Sequence, residues 1–374
     1  MAAQRKAVLI TYPVDHAIKE AVSLAQAAGY EVIDTVTQRE ITRSRFGLGR
    51  GKAEEVKELI QELKPDVMIF DEVIKPTQMY NLASLCNVEI VDRERLILEI
   101  FEQRASTTES QIQTKLAQLR YEMARAREKV RLAKAGEQPG FYGLGKSEAD
   151  VYFLDIRRRA AILRKKLERE ETRRQLHRDQ RARAALPTVS LAGYTSAGKT
   201  TLFNRLTGEV KATDKHVFTT LSTFTRAIDL QDDKVLLNDT VGFISKLPAY
   251  MIDAFKSTLD ELTYASLVIL VIDVGEPIDE IGRKYNSSLD VIKEFEVPET
   301  KIIYVLNKAE LTNPEDVFDK AGKLGILETR RVLPISAKTG YNIDQLKKLV
   351  RSMLFETGNA KDVEVKKSVE KEQR

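Results

Sequence analysis

The chain reads as an α/β protein in three parts. An N-terminal α/β domain over residues 1–104 is followed by a long antiparallel helical hairpin over residues 105–185. A second α/β domain, residues 186–355, has a mainly parallel sheet with flanking helices, and a charged tail closes the chain at residues 356–374. Three observations predict this. Short β-rich runs alternate with helical stretches in the first and third parts, as a mainly parallel sheet requires. Apolar residues recur every three or four positions through the middle, as helix packed on helix requires. A glycine-rich loop follows an apolar strand in the third part and opens into a helix, the arrangement that presents backbone N–H groups to an anion.

In the N-terminal part the strand-like runs are Ala7–Thr11, Glu31–Thr37, Asp66–Phe70 and Val88–Val91. The helical stretches are His16–Ala28, Lys52–Leu63 and Pro76–Leu85, with Pro65 and Pro76 bracketing the third strand as breakers. The turn Phe46–Lys52 holds three glycines before a helix and reads either as a phosphate cradle or as a connecting loop.

The middle part carries Ile112, Leu116, Leu119, Met123, Ala126, Val130 and Ala133 in one heptad seam, then Phe153, Ile156, Ala160, Leu163 and Leu167 in a second. Between them, Gly136–Lys146 contains four glycines and a proline, a turn that folds the two helices back on each other. Residues 105–185 hold 20 Lys and Arg against 11 Asp and Glu, although the whole chain has a net charge of only +4. That concentration fits a polyanionic partner, nucleic acid first, or else an ordinary solvated helix face.

Composition excludes several classes. The chain is 43% hydrophobic, enough for real cores, and 31% charged, which calls for long solvated elements. A single cysteine, Cys86, rules out a disulfide framework and a Cys-based zinc site, and the histidines at 16, 177 and 216 are scattered. No apolar window approaches a membrane span and the N-terminal apolar run is too short for a signal peptide. The expectation is a cytoplasmic protein without membrane insertion.

The third part opens at Pro187 with the strand Thr188–Ala192. Next comes Gly193-Tyr194-Thr195-Ser196-Ala197-Gly198-Lys199-Thr200, which fits G-x-x-x-x-G-K-[ST] at each fixed position, with Thr201–Leu206 continuing as helix. Successive N–H groups and the helix N-terminus surround phosphates, Lys199 reaches the terminal ones, and the Thr200 hydroxyl suits Mg²⁺. Asp239-Thr240-Val241-Gly242 ends an apolar strand 39 residues beyond Thr200. Asp239 can hold an Mg²⁺-bound water, and the Gly242 N–H can meet a γ-phosphate.

Asn307-Lys308-Ala309-Glu310 follows the strand Ile302–Leu306 and resembles the N-K-x-D guanine reader, with Glu for Asp. A carboxylate there accepts from the guanine N1–H and 2-amino group, and a buried hydrogen-bonding site of this kind discriminates strongly. Ser336-Ala337-Lys338 resembles the loop that sets a backbone N–H against the guanine carbonyl. Order and spacing make this a guanine-nucleotide domain, a P-loop GTPase fold that takes GTP or GDP.

The γ-phosphate sensor must lie between the loop and Asp239. Phe218-Thr219-Thr220-Leu221-Ser222 is the candidate, with Thr220 or Thr219 completing the Mg²⁺ shell. After Gly242, where many GTPases place a water-orienting glutamine, stands Phe243. Intrinsic hydrolysis is therefore expected to be slow. Lys199 and Gly242 are the residues expected to act on the transferring phosphoryl group.

Over roughly residues 6–355 the chain resembles the HflX-type GTPases, a branch related to the Obg proteins. The likeness rests on Gly49–Lys52, Asp71-Glu72 before Pro76, Val91-Asp92-Arg93 continuing to Ala105, Lys115–Tyr121, Phe218–Leu221 and the run from Asp239. The chain departs from the family pattern in its shorter tip, at Ser196, where many relatives have asparagine, and at Glu310. The resemblance implies Thr220 as the switch ligand for Mg²⁺, and a protein that binds the large ribosomal subunit and its ribosomal RNA to split, rescue or monitor ribosomes; a monomer is expected. It implies stimulation of hydrolysis by the ribosome. A non-catalytic GDP/GTP switch and a nucleotide-driven RNA remodeller are the alternatives.

Overall fold

The computed structural model describes residues 4–41, 44–134, 146–183, 186–209, 218, 221, 224–231, 233–329 and 331–355. For residues 127–134, 146–150, 177–183, 249, 253, 254, 257 and 258 it describes the backbone alone. Thr219, Thr220, Ser222, His216, the hairpin tip at 135–145 and the tail at 356–374 lie outside the described residues.

The first sheet is built from β1 (Arg5–Thr11), β2 (Tyr30–Thr37), β3 (Val67–Phe70) and β4 (Glu89–Asp92). The connecting helices are α1 (Asp15–Ala27), α2 (Arg50–Leu63) and α3 (Pro76–Cys86). Strand order is β2-β1-β3-β4 with each pair parallel, Leu9 opposite Ile69 and Phe70 opposite Asp92. All four residues of β3 are buried, which is why it reads as an unbroken apolar run. The glycine-rich turn is a packed connection into α2: Leu48 is fully buried, and a side chain at Gly47 (φ +74°) would press on the Phe70 ring.

Residues 93–104, outside the helical stretches expected from sequence, form α4 (Arg93–Arg104). Its N-cap is Asp92, whose carboxylate accepts from Arg95 N at 3.0 Å. Six of its residues are buried, too many for a plain amphipathic stripe, because α4 is covered on two sides.

Helices α5 (Thr108–Lys134) and α6 (Lys146–Arg183) form the hairpin. Ile112, Leu116, Leu119 and Ala126 pack with Ile156 and Ala160, and Met123, Leu163 and Leu167 border the same cluster. Glu109 near the start of α5 pairs with Arg174 near the end of α6, so the helices run antiparallel.

The second sheet comprises β5 (Thr188–Ala192), β6 (Phe224–Leu230), β7 (Asp233–Asp239), β8 (Leu267–Asp273), β9 (Ile302–Asn307) and β10 (Val332–Pro334). Its helices are α7 (Lys199–Thr207), α8 (Ala249–Ala254), α9 (Lys256–Thr263), α10 (Ile278–Glu294), α11 (Pro314–Lys323) and α12 (Ile343–Phe355). The order is β10-β9-β8-β5-β7-β6, parallel except for the β6–β7 pair. One buried cluster runs from the first sheet through α4 into one face of the second, joined where Phe101 meets Phe218 and Phe255. No helix among the described residues is long and apolar enough to cross a membrane.

Candidate nucleotide site

In a parallel sheet the carboxyl ends of the strands open onto one edge, and the loops there are free to build a site. Gly193 follows β5, Asp239 ends β7, Asp273 ends β8, Asn307 ends β9, and Ser336 lies just past β10. Motifs separated by more than a hundred residues therefore meet.

The loop Gly193–Thr200 turns from β5 into α7 with two glycines in backbone conformations that would strain any side chain. At Gly193 (φ +139°) a Cβ would lie 2.4 Å from the Val271 carbonyl oxygen, and at Gly198 (φ +95°) 2.3 Å from Asn307 Nδ2. Gly198 is the N-cap of α7, whose first N–H groups face the loop's interior. Lys199 is buried; its Nζ donates to the Gly193 and Tyr194 carbonyls at 2.9 and 2.8 Å. An ammonium has three donors, so one remains for an anion. Burial pushes the Lys199 pKa down to about 8, with Asp239 opposing the shift.

Asp239 is fully buried, and Thr200 Oγ1 lies 3.1 Å from its Oδ2. Thr240 donates to the Leu191 carbonyl at 2.6 Å, tying the end of β7 to β5. Beyond it, Phe243 N donates to Gly193 O at 3.1 Å and Thr195 N to Phe243 O at 2.7 Å. This two-bond strap lays Gly242 over the phosphate loop, where a Cβ at Gly242 would be 2.9 Å from Lys199 Nζ. The Phe243 ring itself is buried in the core cluster. Phe218 and Leu221, which flank the candidate Mg²⁺ threonines, are also buried; Phe218 adopts φ +57°.

Asn307 joins the remaining loops. Its Nδ2 donates to Ala197 O at 2.8 Å, and its Oδ1 accepts from Ala337 N at 3.0 Å. Of the backbone N–H groups in the Ser336–Lys338 loop, that of Ala337 thus has a protein acceptor in this structure. Ser336 is buried and Lys338 exposed, while Glu310 projects outward from the short 3-10 turn Ala309–Leu311. Ser196, at φ +63°, is exposed on the phosphate loop.

Sequence reasoning missed several members. Asp273 Oδ2 holds Lys308 Nζ at 2.5 Å, and Arg205 donates to the Lys338 carbonyl at 2.7 Å, bracing that loop from α7. Tyr194 carries its side chain away from the phosphates: its hydroxyl donates to Glu20 at 2.5 Å and accepts from Ser245 N at 2.8 Å. The position of Asp273 at a strand end was the available signal for the first of these; nothing local marks Arg205, nor the turning of Tyr194, a residue the loop motif does name, toward Glu20.

A strand–loop–helix phosphate cradle, with an aspartate across from its threonine and an Asn-Lys loop locked against it, defines a guanine-nucleotide-binding protein of the P-loop class. The comparisons with known proteins agree. Three family models match in sequence: a GTP-binding GTPase N-terminal region over residues 15–102, a GTP-binding GTPase middle region over 104–181, and a 50S ribosome-binding GTPase over 188–308. A GTPase HflX of Thermococcus kodakarensis is 42% identical over 85% of this chain and 73% of its own length. The GTPase HflX of Methanocaldococcus jannaschii is 41% identical over 89% and 82%, and that of Escherichia coli 37% over 88% and 77%. The chain belongs to the HflX GTPase family and is a GTP-hydrolysing enzyme. Among solved structures it is similar to a complex of SsGBP with GDP (TM-score 0.58, 27% identity), covering 94% of this chain and 99% of that one.

Proposed function

We propose that this GTPase is Mg²⁺-dependent and works on the large ribosomal subunit, in ribosome splitting, rescue or quality control. The observation that carries the ribosome reading is the outer face of α6. Arg157, Arg158, Arg159, Arg164, Lys165 and Lys166 are all exposed there, a cationic strip set on a rigid helix pair. The similarity of residues 188–308 to a family described as 50S ribosome-binding supports the same partner.

At the nucleotide site, residues 193–201 cradle the phosphates and Lys199 spends its remaining donor on the terminal ones. Asn307, Lys308, Ala309, Glu310 and Ser336–Lys338 read the base, and Phe218–Ser222 with Asp239–Gly242 sense the γ-phosphate. The donor set fits magnesium: Thr200 and Asp239 offer hard oxygens side by side, which with Thr220 and phosphate oxygens suits a small octahedral cation. Magnesium neutralises charge on the phosphate oxygens when bound. The protein's own share is orientation: Thr200 presents its hydroxyl, Asp239 holds a water, and the Gly242 N–H points to the transferring group. Phe243 offers no hydrogen bond to an attacking water, so the intrinsic rate is slow and the ribosome supplies the missing alignment. In Ras-type GTPases a completing partner raises the rate by about 10⁵-fold.

The test is cosedimentation with purified large subunits under GDP and a non-hydrolysable GTP analogue, across a salt series. Binding should require the GTP analogue and weaken steeply with salt. Changing the six basic residues of α6 to Gln should weaken association and flatten the salt slope, with GTP affinity of the free protein near normal. Unaltered cosedimentation at each salt would leave α6 as scaffold only.

A further inference from the structure

Strands β8 and β9 run in parallel register with Asp273 opposite Asn307, so the loops that leave them lie side by side. Val274 N donates to Asn307 O at 3.0 Å, and Lys320 of α11 donates its ammonium to Val274 O at 2.8 Å. Gly275 makes room for the second loop: a Cβ there would lie 2.9 Å from Leu311 Cδ1. The two turns are packed as one unit, and Asp273 stands where they meet.

Both oxygens of Asp273 are committed. Oδ1 accepts from Gly275 N at 3.0 Å, which fixes the plane of the carboxylate, and Oδ2 takes Lys308 Nζ at 2.5 Å. The aspartate side chain is 10% exposed and the lysine 31%, so solvent screens the pair only in part. Lys308 sits at φ +64°, the left-handed backbone that turns β9 into Ala309–Leu311.

Two positions on, Glu310 is exposed, and no described residue engages its carboxylate. The four-carbon stem of a lysine is flexible enough to span that separation, and glutamate reaches further than aspartate. Left without Asp273, the Lys308 ammonium has Glu310 as its nearest carboxylate in sequence. A Glu310 paired in that way no longer accepts from the N1–H and 2-amino group of guanine.

We infer that Asp273 is a positioning residue for base selection: it takes up the Lys308 ammonium and so leaves the Glu310 carboxylate to guanine. The inference rests on Glu310 as a reader of the base and adds how that reader is kept free. Lys308 then contributes its stem to the loop rather than its charge. The effect is one-sided, because adenine presents no matching donors to a carboxylate and gains nothing from a free one. Loss of Asp273 therefore weakens guanine nucleotides selectively.

The experiment measures affinities of the full chain for GDP and ADP by displacement of a fluorescent GDP. Asp273→Asn keeps the shape of the side chain and an oxygen for the Gly275 N–H, but not the charge that holds Lys308. GDP affinity should fall about two- to fivefold, the scale of a partly exposed ion pair, while ADP affinity holds. Adding Lys308→Met, which keeps an apolar stem and removes the ammonium, should bring GDP binding back to within about twofold of wild type. Glu310→Ala should weaken GDP about tenfold or more, the scale of hydrogen bonds to a charged acceptor, and Asp273→Asn should then change nothing further. Unaltered GDP affinity in Asp273→Asn, an equal loss for GDP and ADP, or no recovery with Lys308→Met would each overturn the inference. Unaltered GDP binding in Glu310→Ala would instead remove the base reader itself, and the inference with it.

Discussion

The Phe101 ring of α4 stands edge-on to Phe218 of the candidate γ-phosphate-sensing segment, centroids 4.9 Å apart and planes at 82°. A second edge contact, 4.7 Å, joins Phe101 to Phe255. One ring from the N-terminal part therefore packs against segments before and after Asp239. Truncation should be felt twice. Phe101→Ala is expected to cost about 3–5 kcal/mol of stability by denaturant titration, and Phe101→Leu much less. The Ala variant should also need more Mg²⁺ for half-maximal GTP hydrolysis, since Phe218 precedes the candidate Mg²⁺ threonines. An Mg²⁺ titration superimposable on wild type would confine Phe101 to packing.

Phe243→Ala separates structure from chemistry. The ring is buried, so the variant should lose about 3–5 kcal/mol of stability. Its backbone bonds to Gly193 and Thr195 do not involve the side chain, and an apolar ring moves no proton. Single-turnover hydrolysis at a temperature where the variant is folded should persist. Complete loss there, with nucleotide still bound, would show that the ring shapes the reacting centre.

Lys199 predicts a pH dependence with a definite sign. Its pKa in the folded protein, about 8, lies below the ordinary lysine value of 10.5. Between these the unfolded chain holds more protons, so the stability of the nucleotide-free protein gains from this group as pH rises. Nucleotide acts oppositely, because phosphates favour the charged ammonium. Affinity for GDP should be level below pH 8 and fall above it, approaching tenfold per pH unit at the limit. Calorimetry in buffers of differing ionisation enthalpy should show proton uptake on binding above pH 8; its absence would place the ammonium outside the phosphate contacts.

Asn307→Ala removes two buried hydrogen bonds at once and leaves the Ala197 carbonyl and the Ala337 N–H without their partner. Each loss costs about 1–3 kcal/mol. The expected result is a fall in guanine-nucleotide affinity of two orders of magnitude or more, with a smaller change in melting temperature. Asn307→Asp, which keeps the acceptor but not the donor, should fall between. Equal affinities for all three proteins would mean the asparagine braces nothing the nucleotide needs.

The phosphate loop was readable because its chemistry is local. Gly193, Gly198, Lys199 and Thr200 occupy fixed offsets, and the backbone geometry that favours glycine at +139° and +95° is set within eight residues and the ends of two other strands, β8 and β9. Strand-end positions made Asp239 and Asn307 readable in the same way. The hairpin seam at Ile112, Leu116 and Leu119 showed through periodicity alone. Helix α4 did not, because burial on two sides erases the one-sided stripe that marks an amphipathic helix.

The order of the P-loop, D-x-x-G and N-K-x-E motifs, with their apolar strands, by itself determines a guanine-nucleotide fold, since short-range sterics and strand periodicity leave a record in adjacent residues. The joining of the N-terminal part to that fold was settled only in three dimensions. Tyr194 meets Glu20 across 174 positions, Lys246 meets Glu72 across another 174, and Arg93 reaches Ser245 across 152. Such partners are chosen by packing and charge after the chain has folded, and contacts that distant impose no period, spacing or turn chemistry on the residues beside them.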